Sequence, residues 1–425
     1  MERPLQPVTG GRRGLILLVL VLGGVCTLGP FATDLYLPAL PTVAGDLHAG
    51  AHAIQLTVTT FLVGLALGQL LVGPLSDSVG RRRPLLAGLG LFAVSSLACA
   101  LAPSAGVLIG VRAIQGIAGA SGVAIANAVV ADHFRGREAA KLLSRLVLVS
   151  GMAPIVAPLV GGQLLRFTSW RGVFVILTAL GVLLFVGTAF GLRESLPKAE
   201  RVAGSLRGTM GIMARLSRDS VFMGLTLSGA LMYAAFFGYL AASSFVIQDL
   251  YGASPAMFSV LFSINAVGML LASQLNHRLL GRFTPRVLLA AGLVACVIAG
   301  MALLGVTLVG GLGLLALAIP LFLLVAGTGF ASPDATALAL SLHPDVAGSA
   351  SAYFGTLRLG LAAAATPLVG LGGTVSALPL AIVVTVASIG ALAVFAVVAR
   401  RVGGAAPQES PPLTAPEATD DMAVG

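Results

Sequence analysis

The chain has 425 residues, of which 57% are hydrophobic and only 10% charged, and its formal net charge is +9. A water-soluble chain of this length must clothe a large surface in polar and charged groups, so that class is excluded and most of the polypeptide lies in lipid. The positive balance, which in a soluble chain points to nucleic acid, is accounted for here by membrane topology, and no nucleic-acid partner is expected.

A helix needs about 20 apolar residues to cross roughly 30 Å of hydrocarbon, and only helices or closed barrels satisfy their backbone there. The apolar runs are continuous, so they predict helices, at roughly 14–40, 53–72, 84–102, 106–130, 142–165, 172–192, 220–247, 255–276, 287–307, 315–342, 350–370 and 377–399. Twelve spans put both termini on one side. Of the 25 Lys and Arg residues, 21 lie in the segments of that side, including Arg81, Arg82 and Arg83 after the second span. Arg166 and Arg171 lie on the other side, and Arg112 and Arg358 fall within spans. Because Lys and Arg accumulate in cytoplasmic loops, both termini are expected in the cytoplasm. A cleavable signal peptide is the competing reading of the N-terminus, but the run from Gly14 is too long and lacks a small-residue cleavage site before polar sequence.

The longest polar interval follows the sixth span and divides the chain. A short cytoplasmic segment (1–13) leads into a six-helix half (14–193), a cytoplasmic linker (194–218), a second six-helix half (219–400) and a Pro-rich, acidic tail (401–425) that reads as disordered. Pro158-Leu159-Val160-Gly161 recurs as Pro367-Leu368-Val369-Gly370, each in the fifth span of its half. Parallel halves with a site at their midplane interface are a transporter plan. Cys26, Cys99 and Cys296 sit singly in three spans, without metal-ligand or disulfide spacing, and are expected to be free and buried.

In chain order, the first chemical signal is Asp34, in a span that also carries Phe31 and Tyr36. An acid within a span is costly and usually faces a cavity or a partner, which makes Asp34 the candidate proton carrier. The bland alternative is an interfacial Asp at the outer end of the span. Arg112, in the fourth span, lies at a matching depth of roughly 10 Å at 1.5 Å per residue, so the two charges are expected to be able to pair; the alternative is an Arg that snorkels to the headgroups. Gln115 is one turn away and can bond substrate or a neighbouring helix. Residues 73–85 form a charged hinge, where Gly73 and Gly80 permit tight approach and turning, Asp77 can face a helix N-terminus, and Arg81 can pair with a carboxylate. Pro154, Pro158, Gly161 and Gly162 bend and thin the fifth span. Trp170 reads as a belt residue at the outer interface, and Asn127 and Asn265 as hydrogen-bonders between helices. Tyr233, Phe236, Phe237 and Tyr239 of the seventh span either wall an apolar pocket, with Phe31 and Tyr36, or simply pack. Asp334 adds a carboxylate to the tenth span. There is no phosphate-binding loop and no metal or catalytic spacing, so the chain does not read as an enzyme and no cofactor is expected.

Several of these strings agree on one family. Gly73-x-Leu75-x-Asp77-x-x-Gly80-Arg81-Arg82, Arg112-x-x-Gln115-Gly116 and Ala153-Pro154-Ile155-Val156-Ala157-Pro158-Leu159-Val160-Gly161-Gly162 resemble the loop, fourth-span and antiporter motifs of the major facilitator superfamily. Asp34-Leu35-Tyr36-Leu37-Pro38-Ala39-Leu40-Pro41, with Gln55-Leu56-Thr57 and Gly68-Gln69-Leu70, is similar to the bicyclomycin and chloramphenicol resistance (Bcr/CflA) subfamily of drug:proton antiporters. The resemblance implies an all-α fold of two pseudo-symmetric six-helix halves, in a bacterial inner membrane, exporting small amphipathic drugs against protons by alternating access. It also implies Asp132 as the carboxylate partner of Arg81 and a latch role for the hinge. Ala157 replaces a family glycine, and relatives often carry Asn where Asp334 stands, which makes Asp334 a second candidate for the proton path. A monomer is expected. Export of an endogenous metabolite, such as a sugar or an amino acid derivative, and a non-transporting membrane scaffold are the alternatives.

Overall fold

The computed structural model describes residues 11–134, 136–201, 206–370 and 376–402. Its helices are α1 (Gly11–Asp34), α2 (Leu40–Asp46), α3 (Ala51–Val79), α4 (Arg82–Ala100), α5 (Ala105–His133), α6 (Gly136–Leu164), α7 (Trp170–Gly191), α8 (Leu206–Leu216), α9 (Ser220–Phe245), α10 (Pro255–Leu279), α11 (Pro285–Val309), α12 (Gly313–Ser341), α13 (Ala347–Val369) and α14 (Leu378–Val402). Among the described residues, twelve segments are long and apolar enough to cross a membrane, the first being Leu18–Asp46, in which α1 and α2 are joined by a single 3-10 turn. The expected tail beyond Val402 lies outside the described residues, as does the segment before Gly11.

Local chemistry sets the helix ends. Ser104, Ser254 and Thr284 accept from backbone N–H groups of the first turns of α5, α10 and α11, and Asp219 does so twice for α9. Pro255 and Pro285 occupy first helical positions, where no N–H is needed. Three boundaries differ from the expectation. The first span is not one helix to residue 40: Pro38 and Pro41 supply no N–H, so the ladder breaks after Asp34 and re-forms as α2. Gly73 to Val79 continue α3, and the turn is confined to Gly80, at φ +98°, and Arg81. The interval 194–218 is not a plain linker, since it contains α8, an amphipathic helix that packs on α13 and α3.

The packing repeats between the halves. In the first, α3 pairs with α5, α4 with α5 and α7, and α1 with α5, α6 and α7. In the second, α10 pairs with α12, α11 with α12 and α14, and α9 with α12, α13 and α14, which is the same scheme displaced by six spans. The contacts across the middle follow it too, because α3 meets α13 as α10 meets α6. Small residues permit the tightest approach: a Cβ at Gly64 would collide with the Ala113 carbonyl, and one at Gly116 with that of Phe61. At the end away from the basic loops the halves are closed together. Residues 32–40 of the first span and 238–247 of the seventh are buried throughout. There Ser244 Oγ donates to the Leu37 carbonyl at 2.6 Å and Gln248 Nε2 to the Pro38 carbonyl at 3.1 Å. The Leu37 carbonyl also accepts from the Leu40 N–H of the 3-10 turn, and the serine hydroxyl takes the place that residue 41, a proline, cannot fill.

Candidate functional site

Asp34 is the last residue of α1 and only 3% exposed, at the break created by the prolines. It belongs to no ion pair among the described residues. Across the interface, Tyr239 of α9 stands near enough for its hydroxyl to interact with the Asp34 charge. Asn265 of α10 donates to the Tyr239 oxygen at 2.9 Å, as an interhelical bond, which leaves the phenol proton free to be given elsewhere. A carboxyl without a cation, at a helix break between two halves, is equipped to hold or release a proton.

Arg112 does not pair with Asp34, nor does it snorkel: it is completely buried within the first half. Its guanidinium donates to the Ala32 carbonyl at 3.0 Å, the Thr57 carbonyl at 3.4 Å and Gln115 Oε1 at 2.6 Å, and Gln115 Nε2 donates to Ser96 Oγ at 2.7 Å. Its charge lies 4.3 Å from the ring centre of Phe61, 5.1 Å from that of Tyr36 and 5.8 Å from that of Phe174. Insertion scales put a central Arg at about 2.5–3.5 kcal/mol, and here carbonyl dipoles and ring faces offset that cost in place of a carboxylate. Tyr36 and Gln115, expected on the cavity wall, are likewise enclosed; Tyr36 bonds Thr57 at 3.2 Å and packs on Phe174.

Phe31, Tyr233, Phe236 and Phe237 are half-buried. The rings of α9 form a chain, Tyr233 to Phe236 at 5.9 Å, Tyr233 to Phe237 at 5.8 Å and Phe236 to Tyr239 at 6.3 Å, continued by Phe262 stacked on Tyr239 at 5.8 Å. Arg358 of α13 closes its other end, with its guanidinium 4.0 Å from the Tyr233 ring centre. The sequence marks Arg358 as an intramembrane cation, but nothing in its spacing connects it with Tyr233, 125 positions away. Asp334 is not brought to Asp34: it is buried between α12 and α10, where Asn276 Nδ2 donates to it at 2.5 Å. Asn127, expected to bond a neighbouring helix, is exposed instead.

At the basic end, Arg81 pairs with Asp77 one turn back and with Asp132 of α5 at 3.1 Å, and donates to Ser76 Oγ at 2.8 Å. Burial works against the Arg81 charge, but the two carboxylates outweigh it and hold its pKa above the usual arginine value. Ser195 Oγ donates to Asp132 at 2.8 Å. Asp77 does not face the helix N-terminus; Glu194 does, accepting from the Arg81 backbone N–H at 2.7 Å and the Arg82 N–H at 3.4 Å. Gly80 is required here twice over, by its positive φ and because a Cβ would strike the Glu194 carboxylate. Gly73, by contrast, has open space beside it. Nothing in the sequence marks Glu194 and Ser195, because a polar stretch after a span carries no pattern that separates a cap from a linker.

Pro154 and Pro158 lie inside α6, and Gly161 and Gly162 follow on its last turn. A Cβ at Gly161 would strike the Leu35 carbonyl beside Asp34, and one at Gly162 would strike Ser259 of α10. Ser263 Oγ of α10 donates to the Ile155 carbonyl at 2.9 Å, so this stretch touches both the break in the first span and the second half. Trp170 is not a belt residue; it is wholly buried, and its indole N–H donates to Asp46 at 2.9 Å. The three cysteines are free and buried, as expected.

Comparison with known proteins places this arrangement. The family model described as Major Facilitator Superfamily matches residues 20–367. An uncharacterized MFS-type transporter, YdgK, of Bacillus subtilis is 39% identical over 93% of this chain and 98% of its own. A bicyclomycin resistance protein homolog of Haemophilus influenzae is 30% identical, covering 83% and 88%, and a chloramphenicol resistance protein of Pseudomonas aeruginosa is 31% identical, covering 81% of each. Among solved structures, the nucleoside transporter NupG superposes with a TM-score of 0.74 at 14% identity, over 91% of this chain and 99% of that one, a likeness of fold alone. The chain thus belongs to the Major Facilitator Superfamily, with resistance proteins among its relatives, and is a multi-pass transporter of the bacterial inner membrane.

Proposed function

We propose that the protein exports amphipathic drugs or antibiotics in exchange for protons, with Asp34 as the proton-carrying group. The observation that carries this reading is the Asp34 carboxyl, buried without a cation at the break in the first span, where the two halves close together. The names of the resistance relatives support the class of cargo. With both termini and the basic loops in the cytoplasm, the closed end is the outer one.

In the cycle, Asp34 loses its proton to the inside as substrate enters between the halves, and regains one from outside as the substrate leaves. Residues 14–193 rock against 219–400 about the α3–α13 and α6–α10 contacts. The Arg112–Gln115–Ser96 network holds the wall behind Asp34, because Arg112 bonds the Ala32 carbonyl two residues before it. The Arg81–Asp77–Asp132 cluster, with Glu194 and Ser195, ties the inner ends of the first half into one body that moves as a unit.

Growth of an efflux-deficient host across a drug panel tests this reading, with Asp34→Asn as control. Protection by the native chain but not by the variant is expected. Protection from no drug contradicts drug export and favours a metabolite as cargo.

A further inference from the structure

The mechanism above leaves one intramembrane cation, the half-buried Arg358, without a task. Arg358 lies eleven residues from either end of α13, Ala347 and Val369, and so about 17 Å from each end of its helix, too deep for its side chain to reach either headgroup region. Among the described residues it has no carboxylate partner, and its Nε is buried without a hydrogen-bond acceptor. What it has instead is aromatic: Tyr233 at 4.0 Å and Phe354 at 5.8 Å. Arg112, which is wholly buried, makes hydrogen bonds to two carbonyls and a glutamine, whereas the half-buried Arg358 is left with ring faces.

The surroundings face the interior of the transporter. Ala347 and Ser351, on the same face of α13 as Arg358, are exposed, whereas Ala362 and Val369 on that face are buried. The face is therefore open at the basic end and closed at the other, the profile of a vestibule and not of a lipid surface. Lipid is met by a different stripe, through Ala364 and Leu368. From Arg358 the rings of Tyr233, Phe236 and Tyr239 lead along α9 towards Asp34.

We propose that Arg358 is a specificity-determining residue that binds an anionic group, a carboxylate above all, of an aromatic cargo whose ring system lies along Tyr233 and Phe236. Resting on the export reading above, this narrows the cargo to aromatic compounds that carry an acid, and to zwitterions in particular, since Asp34 at the far end of the ring chain suits a cationic group. A planar guanidinium already oriented by Tyr233 has a free edge for such a group, and the mid-membrane setting strengthens the bond.

A matched pair of dyes tests it: tetramethylrhodamine, which carries a free carboxylate, and its methyl ester, which does not. Binding is read by fluorescence polarisation on the purified full chain in detergent. The native chain is expected to bind the free acid about tenfold more tightly than the ester, the worth of one charge-assisted hydrogen bond. Arg358→Gln is expected to abolish that preference while changing ester binding less than about twofold, and Arg358→Lys to retain part of it. Equal binding of the two dyes by the native chain overturns the assignment, and does so without any variant. So does an equal loss for both dyes in Arg358→Gln, which marks a packing role. Binding of neither dye by the native chain contradicts the export of amphipathic aromatics itself, and the assignment falls with it.

Discussion

Asp34 and Arg112 are neighbours in the first half but have different work. Asp34 has no cation to hold it ionised, which suits the proton exchange proposed for it; Arg112 is held by three hydrogen bonds and three ring faces. Asp34→Asn keeps the size and polarity of the group and removes the titration, so it is expected to retain substrate binding and lose uphill transport. Arg112→Ala leaves Gln115 Oε1 and the Ala32 carbonyl without the donors the guanidinium supplies and is expected to cost about 3 kcal/mol of stability, read as a lower melting temperature. Arg112→Lys recovers little of this, because an ammonium cannot lie flat against Phe61 and Tyr36 while bonding Gln115. The sequence announces both residues, since charges in apolar runs stand out. It does not announce their partners: depth along two helices is legible, but the rotation that turns Arg112 towards Ala32 and Thr57, and away from the Asp34 carboxyl, is set by packing of α1, α3 and α5.

Among the elements, the broken first span is the one whose geometry matters most. Pro38 and Pro41 are visible in the sequence, yet an apolar run reads as one helix, because hydropathy registers side chains and not missing N–H groups. At the break, Ser244 and Gln248 of the seventh span donate to the Leu37 and Pro38 carbonyls. Removing both donors, as Ser244→Ala with Gln248→Ala, loses contacts made only in the closed arrangement, which shifts the population towards opening at that end by about fivefold per bond. Labelling of a Leu40→Cys reporter, buried in the closed state, by an impermeant maleimide is expected to rise accordingly. A second clip sits at the start of α9. Although burial of Asp219 favours its protonated form, the backbone N–H groups of Phe222 and Val221 and the His343 side chain outweigh it and hold its pKa below the usual 3.8. A depressed carboxylate contributes its stability above 3.8 and loses it as the pH falls through the lower folded value. Asp219→Ala is therefore expected to lower the melting temperature in detergent at pH 7, with a cap loss of about 1 kcal/mol, and the gap to the native chain should narrow at pH 3. An unchanged gap between the two pH values counts against the carboxylate as the source of the effect.

For the whole molecule, the two-fold scheme was legible in outline. The polar interval after the sixth span and the repeated Pro-Leu-Val-Gly string both mark two halves, and the pairings of α3 with α13 and of α10 with α6 follow that symmetry. What composition cannot reveal is that the halves are closed together at one end, because that depends on side chains meeting across more than 200 positions, as Ser244 meets Leu37. The orientation rests on the 21 of 25 basic residues gathered on one side. Tags at either terminus are expected to be reached only from the cytoplasm, and a periplasmic signal from either contradicts that orientation. The central claim, proton-driven export through Asp34, is tested most directly by drug accumulation in inside-out membrane vesicles with an acid lumen. Native protein is predicted to concentrate the drug, to lose that capacity on addition of a protonophore, and to lose it equally when Asp34 is replaced by Asn. Accumulation that survives the protonophore, or an Asp34→Asn protein that concentrates drug at the native rate, would contradict the account.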